Sequence, residues 1–248
     1  MKLTIIGNNG GYPRAGGVGM GMLLQSGEAN ILLECGAGVV SKLQQFVQLY
    51  RIDIIIISHL HADHYSDLGV FRYATQMHLR DSLRSEKPKL YLPEGCIEKL
   101  DILFQGISDN FEIITISETR QFREGNLILS FMKVPHSKTK KCYATKIEAD
   151  SKKIVYSGDT GYFDKLKLFA ANADLFICEA GVEEKFKEFA QGRHLTPKQA
   201  AEIAKQANVK QLLLTHIYPL TSYETIRGEA KEIITNVEVA LEGETYKI

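Results

Sequence analysis

Neither sign of charge is in excess in this 248-residue sequence, where thirty Lys and Arg offset thirty Asp and Glu. No global field therefore draws the chain to nucleic acid or to a membrane surface, and a polyanionic substrate would have to be held by a local patch. Cysteine is sparse and scattered. Cys35, Cys96, Cys142 and Cys178 form no Cys-x-x-Cys pair, which excludes a thiolate zinc knuckle and a disulfide framework. They read as reduced core residues of a cytoplasmic protein. No segment reaches the ~18 consecutive apolar residues of a membrane helix, and Met1 to Gly7 turns glycine-rich too early for a signal peptide. What is present is an ordinary 44% of apolar residues, enough for a sizeable core.

Strand signals and helix signals alternate along the chain. Leu3 to Ile6 is a short β run, followed by a glycine-rich loop from Asn8 to Gly21. Gly17-Val18-Gly19-Met20-Gly21 leads into another strand-like run and not into a helix, so a dinucleotide or phosphate-loop reading fails its own context. The loop is expected to be a flexible wall beside a site. A hairpin turn at residues 26–30 joins two strands, and the apolar spacing of Val39, Val40, Leu43, Phe46, Val47 and Tyr50 predicts an amphipathic helix over residues 36–50. Four consecutive isoleucines, Ile54 to Ile57, predict a strand buried on both faces. A helix capped by Ser66 or Asp67 should follow, carrying His78 as a surface or packing histidine. Further strands are expected at residues 89–92, 111–116, 127–134, 142–148, 153–156, 175–178 and 212–214, with helices near 94–104, 164–171, 183–190 and 223–234. Thr196 and Pro197 sign the start of another helix as N-cap and first-turn proline. Two short strands close the chain. No linker, repeat or low-complexity tract divides it, so residues 1–248 read as a single α/β domain.

The chemistry concentrates in Ser58-His59-Leu60-His61-Ala62-Asp63-His64, directly after the isoleucine run. The chain has seven histidines, and three stand here. His59 and His61 point to one side of an extended backbone, while Asp63 and His64 sit where the chain turns away, so one loop can offer different faces to two neighbouring metals. His136, Asp159 and His216 likewise follow directly on β runs, and strand ends along one edge are where a site gains a rigid support. Imidazole and carboxylate ligands without thiolate suit a hydrolytic metal site with open positions. Zinc is the first expectation, with manganese and iron as alternatives.

His-x-His-x-Asp-His at His59, His61, Asp63 and His64, then His136, Gly158-Asp159-Thr160 and His216, stand in the order of the metallo-β-lactamase fold superfamily. Within it the sequence resembles the ribonuclease Z group and its short phosphodiesterase relatives. The resemblance covers nearly the whole chain and implies a four-layer αββα sandwich of two mixed β-sheets flanked by helices. It also implies that His59, His61 and His136 hold one metal, Asp63, His64 and His216 a second, and that Asp159 bridges the two. Such a pair about 3.5–4 Å apart makes a bridging water acidic enough to supply hydroxide near neutral pH and polarises the oxygen under attack. Glu179-Ala180 and Gly192-Arg193-His194-Leu195-Thr196 resemble the ribonuclease Z segments associated with phosphodiester cleavage. His194 is therefore the expected general acid or phosphate stabiliser and Glu179 its orienting carboxylate, so that Asp63, Glu179 and His194 are the candidate catalytic residues.

Lys138, Lys140, Lys141 and Arg193 offer a basic rim for a phosphate ester or an RNA end. Only the residues 137–158 separate His136 from Asp159, which leaves no room for the long protruding arm by which many ribonuclease Z enzymes grip tRNA. Asp67 stands where a glycine is usual, Gly161-Tyr162 where Arg-Pro commonly follows, and Gly181 where the pattern has Thr or an aromatic. The expected activity is a dinuclear zinc phosphodiesterase acting on a tRNA precursor or a small cyclic phosphodiester, in a chain for which the resemblance implies a homodimer. The rivals are hydrolysis of C–N, ester or thioester bonds on the same centre, and a non-enzymatic metal-binding protein.

Overall fold

A computed structural model describes all of residues Met1–Ile248, which fall into two compact units. The first comprises Met1–Gly7, Gly11–Ile116 and Glu242–Lys247, and the second Asn8–Gly10, Ser117–Leu241 and Ile248. Each is built on one mixed sheet of seven strands.

The first unit carries β1 (Lys2–Gly7), β2 (Gly21–Ser26), β3 (Ala29–Leu33), β4 (Ile54–Ile56), β5 (Lys89–Leu92) and β6 (Glu112–Thr115). They lie side by side in sequence order, with the C-terminal strand Thr245–Lys247 outside β1. The antiparallel meander β1–β2–β3 changes to parallel pairing from β3 through β6. β4 is thus interior, and Ile54 to Ile57 are all buried, as four apolar residues in a row require. Leu32, Ile55, Leu90 and Leu92 share a core with Val39, Leu43, Leu68, Phe71 and Leu100 from the helices.

The predicted helix over residues 36–50 is not continuous. It is a single stretch, Val39–Leu43, followed by turns and a 3-10 segment at Leu49–Arg51. After Leu43 three-residue bonds, Gln45 to Lys42 and Phe46 to Leu43, mix with a four-residue bond from Val47 to Leu43, and the helix does not continue. The apolar spacing reported burial in part, since Val39, Val40 and Leu43 are buried and Phe46, Val47 and Tyr50 half-buried, but tertiary packing and not a continuous α-helix satisfies it. Asp67 precedes the helix Leu68–Arg80 as expected, yet its side chain makes no cap bond. Its carboxylate accepts the Val40 N–H instead, at 3.0 Å. His78 packs edge-on against Tyr50, as a packing histidine should.

The second unit carries β7 (Phe122–Glu124), β8 (Leu127–Val134), β9 (Cys142–Ala149), β10 (Lys152–Tyr156), β11 (Leu175–Glu179), β12 (Leu212–Thr215) and β13 (Val237–Val239). Spatial order follows the chain from β7 to β13, antiparallel up to β10 and parallel from there on. β7, three residues long, is too short for its alternation to be read from sequence. The β9–β10 hairpin turns at Asp150 and Ser151, both at positive φ, which is the two-residue turn that matches strand twist. Phe176, Cys178, Leu212 and Leu214 form a core with Ala200, Ala201, Ala204 and Ile226 of the helices Pro197–Gln206 and Tyr223–Lys231.

Direction within each sheet decides where the polar residues emerge. β8 and β10 are both antiparallel to β9, and β10, β11 and β12 run parallel. The carboxyl ends of β8, β10, β11 and β12 therefore lie along one edge of the second sheet. In the first, β3 and β4 end together in the same way.

All four cysteines are free, and burial pushes the thiols of Cys35 and Cys178 well above their ordinary range. No helix is long and apolar enough to cross a membrane. At the Thr196 N-cap the hydroxyl accepts the Gln199 N–H while the Gln199 side chain accepts the Thr196 N–H, a complete capping box. Thr196→Ala should destabilise the protein by about 1–2 kcal/mol, read from the midpoint of urea unfolding. A shift too small to measure would show that the cap does not hold this helix.

Candidate functional site

In the second unit the common strand edge gathers five predicted residues. His136 follows β8, Asp159 follows β10, Glu179 ends β11 and His216 follows β12. His194 comes from the turn before the capped helix. Asp159, His194 and His216 each offer a ligand atom within 4.8 Å of the others. The Asp159 carboxylate Oδ2 lies 3.3 Å from His216 Nε2 and 3.7 Å from His136 Nε2. His136 Nδ1 is bonded to the Arg193 carbonyl oxygen at 2.7 Å, which leaves Nε2 to face Asp159. Burial pushes the His136 pKa below its ordinary value and the nearby Asp159 carboxylate opposes it, so the ring tends toward the neutral form that a metal ligand needs.

His194 Nδ1 lies 3.0 Å from Glu179 Oε2, and its ring stacks on His216 at 14° with centroids 5.6 Å apart. The two partners differ in access. The Glu179 side chain is fully buried, whereas that of His194 is 27% exposed. Glu179 also accepts the backbone N–H groups of Thr160 and Leu195, so it is held independently of the histidine. The structure thus brings Glu179 and His194 together as neighbours.

Two departures from the family pattern have a steric cause. A Cβ at Gly181 would stand 2.3 Å from the His216 carbonyl oxygen, and one at Gly161 would stand 2.6 Å from the Gly192 carbonyl carbon. His216 itself has φ 57, an uncommon conformation for a residue with a side chain. Its position is braced from Asn8–Gly10, since Ile217 donates to Asn8 and Gly10 donates back to Ile217. The glycine-rich loop is therefore not a flexible wall throughout. Asn8 to Gly10 and Val18 to Gly21 are buried, and exposure is confined to its middle.

In the first unit the histidine loop leaves β4 in the predicted manner. His59 Nε2 and His61 Nδ1 converge to 2.8 Å. His64 is fully buried, its Nε2 3.4 Å from Asp63 Oδ2, and that carboxylate oxygen accepts the Gly11 N–H at 2.7 Å. Convergent ring nitrogens beside a carboxylate, with no thiolate among them, fit a hard or borderline divalent cation. Reading the sequence for ligands passed over Glu34, a buried carboxylate at the end of β3. The available signal was an acid closing an otherwise apolar run, Ile31-Leu32-Leu33-Glu34.

The basic rim is unevenly placed: Lys138, Lys141 and Arg193 are exposed and Lys140 half-buried. Arg193 contributes its carbonyl to His136, as described, and not only a charge.

A family model described as the beta-lactamase superfamily domain matches residues 29–217. The probable metallo-hydrolase YhfI of Bacillus subtilis is 32% identical over 244 residues, 98% of each chain. A ribonuclease Z of Archaeoglobus fulgidus is 26% identical over 302 aligned positions, covering 96% of this chain and 95% of that protein. Among solved structures, the metallo-beta-lactamase fold protein YhfI from Bacillus subtilis superimposes with a TM-score of 0.91 at 31% identity, over 99% of this chain and 98% of that one. The short form of human tRNase Z gives 0.76 at 22% identity over 100% and 99%, a likeness of fold.

The steric reading of Gly181 separates it from an unconstrained glycine. Gly228, on an exposed helix face with nothing within 4 Å of its added Cβ, should gain about 0.4–1 kcal/mol as Gly228→Ala. Gly181→Ala should instead lose about 1–3 kcal/mol by overpacking. Thermal unfolding of the two variants checks both signs, and a neutral Gly181→Ala would mean that the His216 backbone moves freely.

Proposed function

The chain belongs to the β-lactamase superfamily and is a metallo-hydrolase of that family, and on this premise we propose that it is a dinuclear zinc phosphodiesterase. In this reading residues 1–248 act as one hydrolase domain. His59, His61 and His136 hold the first ion, Asp63, His64 and His216 the second, and Asp159 serves both. The two ions, when bound, supply an acidified water and stabilise charge developing on the phosphoryl oxygens.

The observation that carries the assignment to phosphodiesters is the Glu179–His194 pair, 3.0 Å apart within the Asp159 and His216 cluster. Breaking a P–O bond leaves an alkoxide that needs a proton. With Nδ1 held by Glu179, the His194 ring presents Nε2 as the other proton-bearing atom, and the carboxylate stabilises the charged ring before it gives that proton away. Because the Thr160 and Leu195 N–H groups hold the Glu179 carboxylate, the partner of His194 does not need to reorganise during the reaction. Asp63, held by the Gly11 N–H, is oriented toward His64 and takes a ligand role with a share in orienting the attacking water.

The ribonuclease Z of Archaeoglobus fulgidus supports a phosphodiester substrate. The short connection from Val134 to Cys142 supports a small or cyclic diester, or an RNA 3′ end presented without a long arm. The exposed Lys138 and Lys141 suit either. Four free cysteines suit the cytoplasm, and a homodimer, as the resemblance implies, belongs to the same reading.

A panel of a small phosphodiester, a pre-tRNA with a 3′ trailer, a β-lactam, a lactone and a thioester tests the assignment. Turnover is expected on phosphodiesters only. His194→Ala should slow diester hydrolysis by about 100- to 10,000-fold with metal content near normal, and Glu179→Gln should fall between it and the parent protein. Preferential turnover of the lactone or thioester, or an unaffected His194→Ala rate, would remove the assignment.

A further inference from the structure

Each loop that brings a residue to the Asp159, His194 and His216 cluster also holds an aromatic side chain out to solvent. Tyr162 stands three residues after Asp159, Phe186 and Phe189 precede His194, and Tyr218 follows His216 with Leu220 close behind. Phe189 and Leu220 are each 79% exposed, and Tyr162, Phe186 and Tyr218 between 39% and 48%. Exposed apolar residues scattered singly need no explanation, whereas a group of them beside a site marks something that covers it.

The exposure is built into the fold. The Ala190 carbonyl, at the end of the helix Lys187–Ala190, accepts the N–H of Arg193 at 2.9 Å and of His194 at 2.8 Å, so the helix that carries Phe189 is joined directly to His194. Glu184 accepts the Thr196 hydroxyl at 2.6 Å, and its own N–H bonds to the Glu229 carboxylate at 2.9 Å. Thr221 donates its N–H to the Tyr218 carbonyl at 2.9 Å, which closes the turn exposing Tyr218 and Leu220. The Thr221 hydroxyl reaches Glu183 at 3.4 Å and ties this turn to the start of the phenylalanine segment. Ala190 and Ile217 anchor the two segments in the interior while the rings stay outside.

Cations are interleaved with the rings in Lys185-Phe186-Lys187-Glu188-Phe189. Phe186 and Phe189 meet edge to face with centroids 6.4 Å apart, and Lys185 Nζ lies 4.9 Å from the Phe186 ring centroid. Arg193 is exposed beside His194. The core of a protein–protein interface is depleted of lysine. Flat apolar faces among cations instead suit a nucleotide, because every base has a π face and every nucleotide a phosphate.

We propose that Phe189 and Tyr218, with Phe186, Tyr162 and Leu220 around them, form a base-binding rim, so that at least one of the two groups esterified to the substrate phosphate is a nucleoside. This subsite rests on the phosphodiesterase assignment and makes that substrate nucleotidic. Stacking on the rim tolerates any base, and the Arg193 charge serves the adjoining phosphate.

The test compares thymidylyl-thymidine with two analogues in which one base or the other is replaced by hydrogen, which keeps the scissile phosphate and its leaving alkoxide the same. Cleavage by the full-length protein is followed by chromatography for the parent, Phe189→Ala, Phe189→Tyr, Tyr218→Ala and a Phe186→Ala/Phe189→Ala double variant. The parent should favour the complete dinucleotide over at least one analogue by about 5- to 150-fold in kcat/KM, carried mainly by KM. Phe189→Ala and Tyr218→Ala should bring that ratio toward one, and Phe189→Tyr, which keeps a ring, should hold it. Calorimetric binding of thymidine 5′-monophosphate against 2-deoxyribose 5-phosphate repeats the comparison without turnover, and the same order of variants is expected. If the parent treats the dinucleotide and its analogues alike, or the alanine variants slow all three by one factor, the rim binds no base while the phosphodiesterase assignment stands. The same holds if the parent cleaves bis(p-nitrophenyl) phosphate and none of the dinucleotides. If it cleaves no phosphodiester at all, the assignment fails and the rim's role falls with it. If the double variant halves the mass in solution and keeps the parent's ratio, the rim joins two copies of the chain and the base subsite is overturned.

Discussion

A buried carboxylate that must find donors is the interaction on which the arrangement of the second unit depends. Glu179 closes β11 with zero exposure and gathers the N–H of Thr160 from beyond β10, the N–H of Leu195 and the ring of His194. Leaving such a group unpaired would cost several kcal/mol. The two loops that carry Asp159 and His194 are thus tied to the strand that ends between them. The tie works in both directions, since the donors keep the carboxylate in place and the carboxylate fixes the loops. Glu34 has the same relation to the first unit, at the end of β3, with the Ser58 N–H and the His64 ring as its partners. Each sheet has a fully buried acid at a strand end close to a histidine.

The rest of the support is directional. Parallel neighbours bring strand ends to one edge, which is why residues as distant in sequence as His136, Glu179 and His216 are neighbours in the second unit. Small residues then permit close approach where the loops cross. Gly181 under the His216 carbonyl is the clearest case, because any side chain there meets backbone and not a flexible side-chain tip. Precision at the cluster is a property of strand ends, hydrogen-bonded carboxylates and one omitted Cβ.

Much of this was legible in sequence for stated physical reasons. Ile54 to Ile57 could only be an interior strand, and a hydrophilic loop of histidines after such a strand has few purposes. The alternation of Leu127 to Val134 and the Thr196-Pro197 signature marked their elements because local rules and tertiary packing agree there. The stretch from Gly36 to Tyr50 misled because burial spacing is shared by helices and by successive tight turns on one core, and only the mixed three- and four-residue bonds after Lys42 tell them apart. Asp67 sits where a cap belongs but serves Val40 across the fold. The glycine-rich loop looked mobile by composition, whereas the bonds between Asn8, Gly10 and Ile217 show what holds its start. Glu34 escaped notice because its one signal, an acid closing an apolar run, is shared by many strand ends, and only the fold brings the Ser58 N–H and the His64 ring beside it.

The central claim is that His194, set by Glu179, gives a proton to the leaving oxygen of a phosphodiester. The most direct measurement is the dependence of hydrolysis rate on the leaving-group pKa across a series of aryl phosphodiesters, for the parent protein and for His194→Ala. A proton donor makes poor leaving groups nearly as reactive as good ones, so the parent should show a shallow slope and the variant a steep one, with the two rates converging for the most acidic phenols. Parallel slopes, with His194→Ala slower by the same factor throughout, would contradict the account.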